Sequence, residues 1–278
     1  MYYQVKKYFL LTILHIFLIT VAASCILPFV WMVNASFKTE DEFRSDNGLK
    51  IASSLNVDNY QKAFVEEKFL RYFINSVIYT AVTVFLIVTI SSLAGYAFSR
   101  LQFPGKNVIF FMFLAAMMIP LPAGFVPLYV LLNMFHLVNQ TGYVLAMTNM
   151  GLSLSIYILK TFFDQLPRDL EDAARIDGCN RLQIWWNVAR PLVTPALAVV
   201  VIFNALNVWN EFVLASLMFT DNNMMPLQVG LMDVYNRNIV QHTLIMAALT
   251  IAALPIILLY LRMQKQFIKG LTAGAVVG

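Results

Sequence analysis

Five stretches of this 278-residue chain contain no Asp, Glu, Lys or Arg: 8–37, 72–99, 107–159, 191–210 and 238–261. A membrane helix needs about 20 mostly apolar residues, because each rises about 1.5 Å through roughly 30 Å of hydrocarbon. Each stretch is therefore long enough for one crossing. The third is too long for one and is broken by the polar run 133–142, so it predicts two helices, giving six in all. Composition agrees, since only 12% of residues are charged and 60% are hydrophobic, whereas a soluble chain carries about 25% charge. The expected fold class is all-α, a polytopic membrane protein with six transmembrane helices. The first apolar block follows Lys6 and Lys7 as a secretory signal would. It exceeds the usual apolar core of a signal, about 7 to 15 residues, and is expected to stay as a helix.

Basic residues in short loops favour the cytoplasmic side. With the N-terminus inside, 12 of the 19 Lys and Arg residues fall inside, and six of the remaining seven lie in one long outer loop, 34–71. Both termini of this expected multi-pass membrane protein are thus predicted to be cytoplasmic. The net charge of +4 follows from that asymmetry, with no basic patch for nucleic acid. Membrane lipid is the expected surrounding.

Several chemistries are excluded. Cys25 and Cys179 form no CxxC pair, and His15, His136 and His242 are scattered with no HExxH, so no metal site is expected. A phosphate loop needs GxxxxGK followed by Ser or Thr. The one Gly-Lys pair, Gly105-Lys106, is followed by Asn107 and has Arg100 in place of the first Gly. No catalytic residue and no cofactor of its own is expected.

Two features remain. The inner loop 164–190 holds LPRDLEDAARIDG, with Pro167 ahead of a helix-favouring run, acids in its first turn and Gly178 as a stop. That is a short capped helix outside the bilayer, with Ala173, Ala174 and Ile176 as a small apolar face. Glu211 is the only Asp, Glu, Lys or Arg placed within a span, where a central charge costs roughly 2.5 to 3.5 kcal/mol. Asn207 and Asn204 precede it by four and seven residues, on one helical face, with Trp209 and Asn210 beside it. The stripe reads either as a hydrophilic lining of a solute path, with Trp209 able to stack on a ring, or as interhelical hydrogen bonding. Pro120, Pro122, Gly124 and Pro127 predict a broken third span.

The inner loop resembles the signature of ABC importer permeases: EAA, three residues, Gly, nine residues, then I-x-L-P. Here Asp172-Ala173-Ala174 precedes Gly178 by that spacing, and Val188-Ala189-Arg190-Pro191 follows at the expected distance. Asp172 stands for Glu, Val188 for Ile and Arg190 for Leu, leaving open whether Glu171 or Asp172 carries the acidic role. SFKT (36–39), DNY (58–60), YFINS (72–76), AGYAFSRLQFPGK (94–106), WNEF (209–212) and GLTAGAVVG (270–278) are similar to the maltose-type carbohydrate permeases of that family.

The resemblance implies a type I ABC importer permease fold in three parts. These are 1–70, the first helix and long outer loop; 71–268, a core of five helices including the coupling loop 164–190; and 269–278, a cytoplasmic tail. It implies that Glu171, Asp172, Ala173, Ala174, Asp177, Gly178 and Pro191 serve docking against an ATPase. Gly270, Leu271, Thr272 and Gly274 of the tail would meet the same subunits. The implied partners are a second permease subunit in a heterodimer, two ATP-binding cassette subunits holding ATP and Mg, and an extracytoplasmic sugar-binding protein. Import of a non-sugar solute is the nearest alternative. An ion-coupled secondary transporter would need more intramembrane ionisable groups than Glu211 provides.

Overall fold

The computed structural model describes residues 2–65, 68–119, 121–237 and 241–275, without the side chains of 2–6, 121–123, 237 and 270–275. Among the described residues there are helices and no strands. In chain order they are α1 (Tyr2–Ser36), α2 (Glu40–Asp46), α3 (Asp58–Val65), α4 (Phe69–Arg100), α5 (Lys106–Ala116), α6 (Leu121–Met134) and α7 (Gln140–Asp164). Then follow α8 (Asp169–Ile176), α9 (Arg181–Ile184), a π-helical turn (Trp185–Ala189), α10 (Arg190–Leu192), α11 (Thr194–Trp209), α12 (Val213–Met218), α13 (Leu227–Arg237) and α14 (His242–Ala275).

Among the described residues four helices, α1, α4, α7 and α14, are long and apolar enough to cross a bilayer. A bent pair, Arg181–Leu192 and Thr194–Trp209, is long and apolar enough when taken together and turns by 80° at Val193, as a broken span or a re-entrant loop does. The span expected over 107–133 is built as two shorter apolar helices, α5 and α6, joined by a turn at Met117–Ile119. Of the prolines expected to break it, Pro120 lies outside the described residues, while Pro127 sits inside α6.

The chain forms two compact units, 1–70 with 231–253 and 71–230 with 254–278. In the first, α1 is apolar all round, and its central window is wholly unburied within the chain. Such a helix is stable where lipid or another protein covers it. Beyond it, SFKT and DNY meet. Asn59 donates through Nδ2 to the carbonyls of Ser36 (2.9 Å) and Lys38 (2.8 Å), and the Ser36 and Tyr60 hydroxyls lie 2.6 Å apart. Thr39 caps α2, and the fully buried Lys38 ammonium pairs with Asp46 at 2.7 Å.

The second unit buries two apolar clusters. One groups Tyr79, Tyr143, Leu214 and Phe219; the other groups Ile87, Tyr96, Phe163, Ala174, Trp185 and Val200. Small residues let the helices close. At Gly151 of α7, an added Cβ would collide with the Asn204 Oδ1 of α11 and the Ile87 side chain of α4.

Candidate functional site

The predicted capped helix is α8. Its C-terminus closes as an αL stop: the Cys179 N–H donates to the Ala174 carbonyl at 3.0 Å, and Gly178 takes φ +83°. A Cβ at Gly178 would meet nothing within 4 Å, so the glycine answers to backbone conformation and not to crowding.

The helix has two faces. Glu171 and Ala174 are buried, whereas Leu170, Asp172, Ala173, Ile176, Asp177 and Gly178 are exposed. The small apolar face expected from Ala173, Ala174 and Ile176 is therefore split, because Ala174 packs into the apolar cluster while Ile176 is 88% exposed. The two acids also part. Asp172 pairs outside with Arg175 at 2.8 Å, while the Glu171 carboxylate lies 2.7 Å from Arg100 Nε with both side chains 6% exposed. This is a close ion contact and not an aligned hydrogen bond. The Tyr96 hydroxyl donates to the other Glu171 oxygen at 3.2 Å, and Arg100 Nη2 donates to the Leu166 carbonyl at 2.6 Å. After α8 the capping box of Asn180 and Gln183 opens α9. The Trp185 indole donates to Ser92 at 3.1 Å, and Arg190 lies over the Trp186 ring at 4.2 Å. Pro191 is exposed inside α10, ahead of the bend at Val193.

The expected Glu211 stripe needs correction. Helix α11 stops at Trp209 with Asn210 as its C-cap, so Glu211 leaves the helical face shared by Asn204 and Asn207. Its carboxylate turns to the start of α12, accepting the N–H groups of Leu214 (2.6 Å) and Ala215 (2.9 Å) and the Tyr143 hydroxyl (3.4 Å). Unpaired N–H groups at a helix start are the partners a half-buried carboxylate needs. Trp209 is 4% exposed and packs edge-on against Phe73 at 5.8 Å, with no open face for a sugar ring in this conformation. Exposed Asn210 accepts from Gln228 at 3.4 Å.

Asn204 and Asn207 instead border a half-open cavity of about 790 Å³ between α5, α6, α7 and α11. Its polar lining is Asn149, Ser153, Asn204 and Asn207, set among apolar residues such as Phe113 and Phe203, and none of the described lining residues is charged. Asn204 also ties α11 to α7, donating to Ser155 Oγ at 2.9 Å and to the Val200 carbonyl at 2.8 Å. Another crevice, of about 270 Å³ between α11 and α14, is lined by apolar side chains and Tyr260. Sequence reasoning missed Asn149 and Ser153, though two polar residues four apart in an apolar run share one helical face. The tail residues Gly270, Leu271, Thr272 and Gly274 lie on the α14 backbone, and their side chains are outside the described residues.

A family model described as "Binding-protein-dependent transport system inner membrane component" matches residues 87–273. A putative ABC transporter permease protein, ORF2, of Caldicellulosiruptor sp. (strain Rt8B.4) is 38% identical over 254 residues, covering 91% of this chain and 92% of its own. The probable starch degradation products transport system permease protein AmyC of Thermoanaerobacterium thermosulfurigenes is 32% identical over 273 residues, 98% of each chain. A crystal structure of a bacterial ABC transporter involved in import of the acidic polysaccharide alginate matches with a TM-score of 0.80 at 22% identity. That match covers 92% of this chain and 95% of that one, and it shows the fold. The chain belongs to the binding-protein-dependent transport system inner membrane component family. It is a multi-pass inner-membrane permease of an ABC importer, not an enzyme, and such a permease works with an ATPase and a binding protein.

Proposed function

We propose that this chain is one of two different permease subunits in an ATP-driven sugar importer, lying with both termini in the cytoplasm against two ATP-binding cassette subunits. The observation that carries the reading is the division of α8. One face is built into the helical core through Ala174 and Glu171, and the other presents Asp172, Ala173, Ile176, Asp177 and Gly178 outward. An exposed short helix rooted in the core suits docking in a cleft of the ATPase, where ATP and magnesium are held. Ala173 allows close approach, Gly178 and Pro191 set the path of the chain, and Gly270, Leu271, Thr272 and Gly274 extend the same contact.

The cavity beside Asn204 and Asn207 is this subunit's share of the path. Amides and a hydroxyl with aromatic neighbours suit a neutral polyhydroxylated solute, delivered by the extracytoplasmic binding protein. Trp209 and Glu211 fasten the end of α11 to α4, α7 and α12. AmyC, by its name, serves starch degradation products, which fits this chemistry.

The test is ATP-dependent uptake by the reconstituted importer across a panel of neutral oligosaccharides, uronic-acid oligosaccharides and peptides. A neutral oligosaccharide is the expected substrate, with Asn207→Leu lowering its uptake about tenfold at matched abundance, the worth of one well-placed hydrogen bond. Uptake confined to peptides would overturn the sugar assignment.

A further inference from the structure

We propose that α4 is the strut that carries movement of α8 to the opposite end of the helical core, with Arg100 and Glu171 as its clamp and positioning residues. The inference rests on the proposed docking of α8 against the ATPase.

The forward covalent route from α8 is compliant. It runs through α9, a π-helical turn and α10 before an 80° bend at Val193, and π-turns mark places where the helical ladder is interrupted. The lateral route is stiff. Glu171 meets Arg100, the last residue of α4, in a buried ion contact at 2.7 Å. Tyr96, one turn earlier on α4, holds the second carboxylate oxygen, and Arg100 also holds the α7–α8 linker through the Leu166 carbonyl. Three polar contacts thus join α8 and its linker to one end of α4.

From there α4 continues for 32 residues with no proline, about 48 Å of unbroken helix at 1.5 Å per residue. Its other end is fastened as firmly. Arg71 donates to the Asn223 side chain at 2.6 Å, and Asn75 donates to the Asn223 and Met225 carbonyls, both at 2.9 Å. Tyr79 donates to the Met224 carbonyl at 2.9 Å, and Ser76 accepts the Leu227 N–H at 2.7 Å. Loop 219–226 is therefore pinned to the end of α4 opposite the clamp. A helix bonded at one end to α8 and at the other to this loop moves both together, whereas rupture of the clamp leaves α8 held by the packing of Ala174, the Tyr96 hydroxyl and its chain neighbours.

The experiment uses the complete importer in vesicles with its binding protein, in a background carrying Ala173→Cys for cross-linking to the ATPase. The variants are Glu171→Gln, Arg100→Gln, the exchange Glu171→Arg/Arg100→Glu, and Tyr96→Phe. The readouts are the ratio of stimulated to unstimulated ATP hydrolysis, uptake, and the cross-link. Each single clamp variant is expected to keep the cross-link while its stimulation ratio falls about tenfold, and the exchange should recover much of the loss. Tyr96→Phe, which removes one hydrogen bond, is the variant to read if the clamp variants fail to assemble, and its ratio should fall about threefold. Single variants that cross-link and keep the native ratio would overturn the strut. An assembled Tyr96→Phe complex with the native ratio, when the clamp variants do not assemble, would overturn it too, making the clamp a folding element. Loss of the cross-link with the clamp intact would refute the docking of α8, and the strut with it.

Discussion

Glu211 places a carboxyl group in an apolar setting, and its surroundings show how that group is accommodated. Two backbone N–H groups at the start of α12 and the Tyr143 hydroxyl converge on its oxygens, so it holds α11, α12 and α7 together. Charge-assisted bonds at a helix start are worth about 1 kcal/mol in typical cases. Glu211→Gln should therefore lower the melting temperature in detergent by a few degrees while retaining most of the uptake at matched abundance. An unchanged melting temperature with abolished uptake would instead place the carboxylate on the solute path. The sequence marked Glu211 as a residue needing compensation. It could not show the source, because α11 ends at Trp209 and the following turn redirects the carboxylate. Position 171 makes the same point: two adjacent acids were equivalent in one dimension, and only the packing of α8 separates the buried one from the exposed one.

At the scale of elements, the short motifs that resembled importer permeases prove to be points of tertiary fastening. SFKT and DNY bind each other through Ser36, Asn59 and Tyr60. YFINS fastens loop 219–226 through Asn75 and Ser76, and the stretch ending in Arg100 grips α8. The segment after α1 adds a titratable fastening. The Lys38 ammonium, bonded to Asp46, holds that carboxyl below its ordinary value against the opposing effect of burial. At Glu40, burial raises the value, but hydrogen bonds from His242, Thr243 and Arg44 outweigh it and the net direction is downward. Both groups release protons more readily folded than unfolded. Each therefore adds stability above its ordinary value, about 4, and loses it as pH falls through the lower folded value. Protease resistance of the 36–60 segment should be level above about pH 5 and decline only in stronger acid. Lys38→Met, which leaves Asp46 without its ammonium partner, should lower that plateau, with the gap to the native chain closing on acidification. A gap that widens in acid would contradict the assignment. Helix limits were less legible than helix existence. The break of the third span into α5 and α6 was legible in its prolines, whereas the 80° bend at Val193 was not.

For the whole molecule, charge-free length and basic-residue asymmetry were enough to predict a polytopic helical membrane protein, because bilayer thickness leaves few alternatives. The proposed solute cavity was less legible. Asn204 and Asn207 pointed to it from α11, but Asn149 and Ser153 come from α7, and their convergence is a property of the packed helices. The account assigns this chain no independent transport activity: energy enters through α8 from a separate ATPase. The measurement that tests this most directly is gentle purification from the native membrane, identification of the accompanying chains, and reconstitution of the isolate in vesicles. The account predicts an ATP-binding cassette protein and a second permease in the isolate, with uptake that requires both ATP and the binding protein. Recovery of this chain alone, transporting solute without ATP, would contradict it.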